Sequence, residues 1–207
     1  KLFPALYSLY REGKLGERFA VIGLARRPRT EEEFRDDVLR SIREFCRYKP
    51  ESAQEWDRFA GHFTYQSLDI GNLEGFSALR RLAEEVESRF NIGGNRLFYL
   101  ALAPELFGTV SRNLKEGGML ESPGWHRLII VKPFGYDYVS ARKLNEEIRQ
   151  VFREEEIFRI DHYLGKEMVQ NIEVIRFSNG FFEPLWNHRH IANVQITLAE
   201  TVGVEDR

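Results

Sequence analysis

Residues 159–167 read RIDHYLGKE and set a carboxylate, an imidazole, a phenol and an ammonium group within one short stretch. The apolar run before them suits a strand and the residues after them a helix, and open α/β sheets place their sites at such strand ends. On that reading Asp161 takes the helix N-cap, while His162 and Lys166, four apart, share one face above the first turn. The arrangement suits an anion. Free N–H groups and the dipole of a first turn attract a phosphate, Lys166 adds a point charge, and His162 offers a ring N–H donor. The same spacing is equally compatible with a capping aspartate, a solvated lysine and a half-buried loop histidine. Lys132, at the mouth of the run RLIIV, is a second candidate, and its alternative is a strand-end lysine turned to water. Arg26, Arg27 and Arg29, which close the apolar run FAVIGL, form a third. At the end of the second strand of a dinucleotide fold, a carboxylate accepts from a free ribose 2′-hydroxyl, whereas an arginine accommodates a 2′-phosphate. The alternative is a solvated loop carrying three ordinary charges.

These residues need a scaffold, and the composition can supply one. The 207 residues are 43% hydrophobic, enough for a substantial core in one domain or one domain plus part of another. Thirty Lys and Arg against 32 Asp and Glu leave no global positive field, which argues against nucleic acid and anionic membranes as partners. Any anion site must then be local. Cys46 is the single cysteine, so there is no internal disulfide framework, and its place on the apolar side of an expected helix reads as a small buried hydrophobe. No apolar run reaches membrane-spanning length and the first residues lack the layout of a secretory signal, so a cytoplasmic location is expected. His188 and His190 have H-x-H spacing but no cysteine or HExxH-type pattern beside them, and metal binding is not expected.

Along the chain, Leu2, Leu6, Leu9 and Tyr10 give residues 1–14 an amphipathic helical face with no start signal, so the sequence is expected to begin inside a domain. Thr30 and Glu33 have the spacing of a capping box, and Phe34, Val38, Ile42 and Phe45 recur at helical intervals after it. Residues 63–70 read as a strand ending at Asp69, followed by a helix with Leu79, Leu82, Val86 and Phe90 inward. Residues 95–103 read as a fully buried strand, with Pro104 opening a helix that carries Phe107, Val110 and Leu114 and stops at Gly117 and Gly118. Residues 127–131 are another strand, and residues 139–152 a helix with Leu144, Ile148 and Val151 inward. The alternation implies a parallel sheet with crossover helices, a doubly wound α/β domain over residues 1–156. Beyond Lys166, Met168, Ile172 and Ile175 continue a helical stripe that is expected to face a core and to end at Asn179 and Gly180. In residues 191–199, Val194, Ile196 and Leu198 alternate with polar positions. A half-exposed strand is expected there, opening a second domain, residues 157–207, on a largely antiparallel sheet.

As an unbroken block, RIDHYLGKE resembles the active-site signature of the glucose-6-phosphate dehydrogenase family, and the resemblance runs on through KLFPALY, NRLFYLALAP, KPFG and AETVGVE. It implies a Rossmann-like sheet missing its first strand, followed by the beginning of an α+β domain. The activity implied is oxidation of glucose 6-phosphate to the 6-phosphoglucono-lactone by hydride transfer from C1 to NADP, in a dimer or tetramer. By the same resemblance Asp161 holds the catalytic histidine, while His162, Tyr163 and Lys166 bind the sugar phosphate. Glu200 hydrogen-bonds substrate hydroxyls, and Lys132 touches substrate and coenzyme. Arg26 selects NADP, Asp69 and Ile70 lie beside the coenzyme, and Pro133 holds the backbone next to Lys132. For Asp69, turn chemistry is the alternative.

There are departures from the family pattern. Val131 stands where the family commonly has the glutamate of E-K-P-F-G, which removes an ionic partner for Lys132 or a neighbour. The phosphate-cradling loop G-x-x-G-D-L has no counterpart, since neither Gly71 with Gly75 nor Gly93 with Gly94 makes a G-x-G-x-x-G fingerprint. The family's downstream stretch with the catalytic histidine is also not among these residues. The isolated chain is therefore expected to bind a dinucleotide poorly and to be inactive by itself. A non-catalytic relative that keeps the sugar-phosphate pocket for regulation or assembly explains the same departures.

Overall fold

A computed structural model describes residues 2–161 and 163–197 of the chain. The chain divides after Ile160 into two compact units. In the first, α1 (Leu2–Arg11) precedes β1 (Val21–Ala25), α2 (Glu31–Phe45) and α3 (Ala53–Ala60) lead to β2 (Phe63–Ser67), and α4 (Leu73–Phe90) leads to β3 (Arg96–Leu100). A 3₁₀ turn at Pro104–Leu106 runs into α5 (Phe107–Glu116), followed by β4 (His126–Val131), α6 (Tyr138–Arg149) and β5 (Ile157–Ile160). The ladders of β1 with β2, β3 with β4 and β4 with β5 are all parallel. Parallel neighbours need crossover connections, and the helices supply them. The α/β class expected from the alternation is the one adopted, with the strands divided between a β1-β2 sheet and a β3-β4-β5 sheet.

The capping box at the start of α2 forms in both directions: Thr30 Oγ1 accepts from Glu33 N at 3.1 Å, and the Glu33 carboxylate accepts from Thr30 N at 2.8 Å. Val38 and Ile42 are fully buried, but Phe45 is 64% exposed, because α2 ends there and Cys46 turns inward in its place. In α1 the buried residues are Pro4 and Tyr7, whereas Leu2 and Leu9 face outward. Leu6 and Tyr10 of the expected face do pack on the core, and Phe3 and Tyr7 complete the inner stripe in place of Leu2 and Leu9, since large rings at helical spacing remove more surface from water.

β4 has a neighbour on each side, and Leu128 and Ile130 are 0% and 1% exposed, as the apolar run of a central strand requires. β3 departs from the fully buried strand expected of residues 95–103. Among the described residues it pairs with β4 alone, and Leu97 and Tyr99 are 52% and 38% exposed. Only Arg96 and Leu100 are buried in it. Arg96 is a buried cation, and its fork is filled: Nε and Nη2 donate to the two Glu87 carboxylate oxygens at 2.7 and 3.1 Å, and Nη1 donates to Met119 O at 2.9 Å. The pair ties β3 to α4 and to the segment after α5.

The second unit contains α7 (Glu167–Phe177) and a 3₁₀ turn at Glu183–Leu185. α7 buries none of its residues, and Met168, Ile172 and Ile175, expected to face a core, are all exposed. The helix ends with Ser178 as its C-cap, just ahead of the expected Asn179 and Gly180. Residues 191–197 form no ladder. A strand exists only where a neighbour answers its backbone groups, and the described residues of this unit contain none. The expected antiparallel sheet is therefore not seen there, and Leu198 and Ala199 lie outside the described residues. No helix among the described residues is long and apolar enough to cross a membrane.

Two features give direct tests. Removing Glu87 leaves Arg96 charged in the interior without its counter-ion and with the Met119 carbonyl as its remaining partner, so Glu87→Ala should cost roughly 3–5 kcal/mol, measured as a lowered urea midpoint. His62 is buried, donates Nδ1–H to Phe19 O at 2.8 Å and stacks on the Phe19 ring at 4.2 Å. Burial pulls its pKa below the usual imidazole value, opposed by the Phe19 carbonyl and reinforced by Arg89. The unfolded chain then takes up that proton at a higher pH than the folded one, so stability is retained above about 6.5 and falls as pH drops from there toward the lower folded value. Melting temperatures from pH 7 to 5 should decline less steeply in His62→Gln.

Candidate substrate and coenzyme site

Strand β5 is fastened at the first residue of the signature. Arg159 donates from Nε and Nη2 to Asn145 Oδ1 at 3.0 and 2.6 Å, and from Nη1 to Glu154 Oε1 at 2.6 Å. Asn145 is itself tied into α6 through Ala141 O at 2.8 Å. Arg159 thus locks the strand to α6 and to the 3₁₀ turn Glu154–Glu156, so its role is structural.

Lys132 stands at the carboxyl end of β4, as read from the sequence. Val131 pairs with Ile160, and the Lys132 N–H donates to Ile160 O at 3.2 Å, so the backbone of Lys132 makes the last bond of the β4–β5 ladder. The Lys132–Pro133 peptide is cis. Phe134 packs against the core, and Gly135 has φ +112°. A Cβ at Gly135 would lie 2.6 Å from Ala141 N, so this turn passes too close under α6 for any other residue. Asp137 then caps α6 by accepting from Ser140 N at 2.8 Å, and the Ser140 contacts hold the Asp137 carboxyl below the usual carboxylate range. Both ends of the segment carrying Lys132 and Pro133 are therefore fixed.

In the second unit, the signature is a turn. Asp161 Oδ1 accepts from Tyr163 N at 3.0 Å, Lys166 N donates to Tyr163 O at 3.1 Å, and Lys166 Nζ lies 4.4 Å from the centre of the Tyr163 ring. Asp161, Tyr163 and Lys166 are thus gathered within six residues of backbone. The helical placement expected for them is corrected: α7 begins at Glu167 with Lys166 in the N-cap position. Asp161 gives its carboxylate to the N–H two residues on, a local bond that competes with helix entry. His162 and Glu200, both read as substrate contacts, lie outside the described residues.

The other residues read as coenzyme contacts, Arg26, Asp69 and Ile70, sit at the ends of β1 and β2. Arg26 follows β1 directly and is exposed. Arg29 is engaged by Asp37, whereas Arg26 and Arg27 make no ion pair among the described residues. Asp69 Oδ1 accepts from Gly71 N at 3.0 Å and Asp69 O from Asn72 N at 3.0 Å, so its carboxylate serves its own turn. Ile70 O accepts from Asn113 Nδ2 of α5 at 2.7 Å. The sequence reading missed Asn113 and Asn145, and the signal available was an asparagine in a helix interior, where it is a poor former unless its amide has a task. Ser122 and His126, 2.8 Å apart, do not form a nucleophile pair. Ser122 Oγ donates to Gly94 O at 2.5 Å and so accepts from the ring. Among the described residues no group of three or more His, Cys, Asp or Glu side chains could hold a metal ion.

A parallel α/β unit with its polar residues at the carboxyl ends of the strands defines a nucleotide-binding domain of the doubly wound class. Residues 1–171 match the family model described as glucose-6-phosphate dehydrogenase, NAD binding domain, and residues 173–207 that of the C-terminal domain. The chain is 49% identical over 207 residues to glucose-6-phosphate 1-dehydrogenase of Bacillus subtilis (strain 168), covering all of this chain and 41% of that protein. To the enzyme of Leuconostoc mesenteroides it is 42% identical over 207 residues, covering all of this chain and 42% of that protein. A solved structure of glucose-6-phosphate dehydrogenase in complex with its substrate glucose-6-phosphate matches with a TM-score of 0.81 and 40% identity, over 91% of this chain and 39% of that one. The glucose-6-phosphate 1-dehydrogenase of Mycobacterium avium matches with a TM-score of 0.78 and 35% identity, over 100% of this chain and 43% of that one. The chain belongs to the glucose-6-phosphate dehydrogenase family, and it spans about two fifths of the length of the relatives it matches.

The fastening of β5 can be tested apart from function. Asn145→Ala removes the acceptor of two Arg159 bonds and should cost roughly 1.5–3 kcal/mol in denaturant unfolding, with Asn145→Asp recovering only part of it, since it keeps the acceptor for Arg159 but loses the donor to Ala141 O.

Proposed function

We propose that the protein carrying this chain oxidises C1 of glucose 6-phosphate with NADP and releases the 6-phosphoglucono-lactone, the first step of the oxidative pentose phosphate pathway. The observation that carries this reading is the signature turn. There an acid, a phenol and an ammonium group are gathered by their own backbone bonds directly after a parallel strand. The acid orients a histidine from the family's downstream stretch, which takes the proton of the anomeric hydroxyl, and it stabilises the imidazolium that results. The bond from the Tyr163 N–H fixes the Asp161 carboxylate for that task. Lys166, Tyr163 and His162 hold the sugar phosphate, Glu200 the sugar hydroxyls, and Lys132 reaches both substrate and coenzyme.

The dinucleotide, when bound, supplies the acceptor for the hydride leaving C1. The chain offers it Arg26 for a 2′-phosphate, beside Arg27, in a loop where Arg29 is engaged by Asp37 together with Arg40. Asp69 and Ile70 contribute the backbone of the turn after β2, since the Asp69 carboxylate is taken by Gly71 N. Pro133 sets the backbone that follows Lys132. The first unit, which runs through β5 to Ile160, carries the coenzyme domain and the residues after it begin the substrate domain, in a cytoplasmic dimer or tetramer assembled through the larger sheet.

The test is an assay of a family-length protein containing this chain, with glucose 6-phosphate and NADP. Turnover is expected, with Asp161→Asn lowering kcat on the order of 10²–10⁴-fold and Lys166→Ala raising KM for the sugar phosphate about tenfold or more. The 207-residue chain alone should give no NADPH above a His162→Ala control. Tight binding of glucose 6-phosphate by the family-length protein without any oxidation would replace this reading with a non-catalytic binding role.

A further inference from the structure

The β1–β2 ladder makes its last backbone bond where Leu68 N donates to Ala25 O at 2.9 Å. Beyond it the chain enters Arg26 and Arg27, whose carbonyls have no strand to answer them. Two hydroxyls of β2 take over. Ser67 Oγ donates to Arg26 O at 3.0 Å, and the Tyr65 hydroxyl donates to Arg27 O, with Ala25 O 3.3 Å from the same oxygen. Tyr65 and Ser67 are two residues apart on one strand and so share a face. Their register partners in β1 are Gly23 and Ala25, small residues over which a hydroxyl can reach. Gly23 is required there, since a Cβ would lie 2.3 Å from the Phe34 ring, and Phe34 in turn packs on the Tyr65 ring at 5.4 Å. Tyr65 is thus held by its ring and holds the loop by its oxygen.

The loop so fastened carries three guanidinium groups in four residues. Arg29 is bound to Asp37, a carboxylate that Arg40 also engages, and Arg26 and Arg27 stand beside it as two adjacent like charges. Mutual repulsion would let an unfastened loop splay toward solvent. A guanidinium on a fixed backbone loses less freedom when it grips a phosphate than one on a mobile loop. A nucleotide without the 2′-phosphate makes no such grip and gains little from the fastening.

The geometry points to Tyr65 and Ser67 as positioning residues for coenzyme selection: by tethering the carbonyls of Arg26 and Arg27, they preorganise the arginine loop for a ribose 2′-phosphate. The inference rests on the assignment of Arg26 to that phosphate under Proposed function. The experiment measures kcat/KM for NADP and for NAD in the family-length protein, for Tyr65→Phe, Ser67→Ala, Ser67→Thr and Arg26→Ala, with melting temperatures to confirm folding. Each of Tyr65→Phe and Ser67→Ala, which removes one oxygen and keeps the packing, should lower the NADP to NAD ratio about 3- to 10-fold. The loss should lie in KM for NADP, and Ser67→Thr should restore the ratio. If Arg26→Ala collapses the ratio while Tyr65→Phe and Ser67→Ala leave it unchanged, the positioning role is overturned and the coenzyme assignment stands. If Arg26→Ala leaves the ratio unchanged, the coenzyme assignment itself falls, and this inference with it.

Discussion

A parallel ladder satisfies backbone groups only as far as its neighbour runs, and the first unit is organised by where each ladder stops. At the end of β1 the last bond is Leu68 N to Ala25 O, and at the end of β4 it is Lys132 N to Ile160 O. The next residues in each case lie on exposed loops, where water could answer the backbone, and partners within the protein hold it in one course instead. Side chains supply them after β1 and β2: Ser67 and Tyr65 for Arg26 and Arg27, Asp69 for Gly71, and Asn113 for Ile70. After β4 the Ser140 hydroxyl of α6 does the same, accepting from Tyr136 N and Asp137 N at 2.9 and 3.0 Å. The residues with chemical potential therefore stand on backbone that is held, although the sheet no longer holds it.

The same requirement decides which parts of the fold could be read from the sequence. Central strand β4 is apolar at every inward position and needs no context to be recognised. The capping box at Thr30 and Glu33 is equally local, since both of its bonds span three residues. β3 has similar composition to β4, but its environment depends on how many neighbours it finds, which no property of residues 95–103 records. It finds one, and half of it stays exposed. α1 misleads for a related reason. Leu6 and Tyr10 of the expected face do turn inward, and the rings of α2, α3 and β2 that Phe3, Tyr7 and Tyr10 meet rotate the stripe away from Leu2 and Leu9.

For the candidate site, the residue types were legible and their local geometry was not. Asp161 followed by Lys166 at the head of an apolar stripe has the composition of a helix start. An aspartate has two local uses, however: capping a helix, or closing an Asx turn on the N–H two residues later. Asp161 takes the second, and α7 then starts at Glu167. Asp69 does the same before α4, and there Asn72 becomes the cap. In both places the acid at a strand end orders the turn, and the cap falls to a later residue.

An unbroken nine-residue block invites the assumption that all of its members act on the substrate, and the structure divides them. Arg159 is committed on three of its donors to Asn145 and Glu154, and it fixes β5 to α6. Lys166 and Tyr163 meet face to ring in the turn that follows. The anchoring residue must be as particular as the residues it serves. A lysine at position 159 would keep the charge but lose the fork that answers an amide and a carboxylate together. A shared run of sequence can therefore mark one site without giving each residue in it the same kind of work. The division follows from partners: a side chain whose donors are spent on its own scaffold positions the site, and cannot also grip a ligand with those donors.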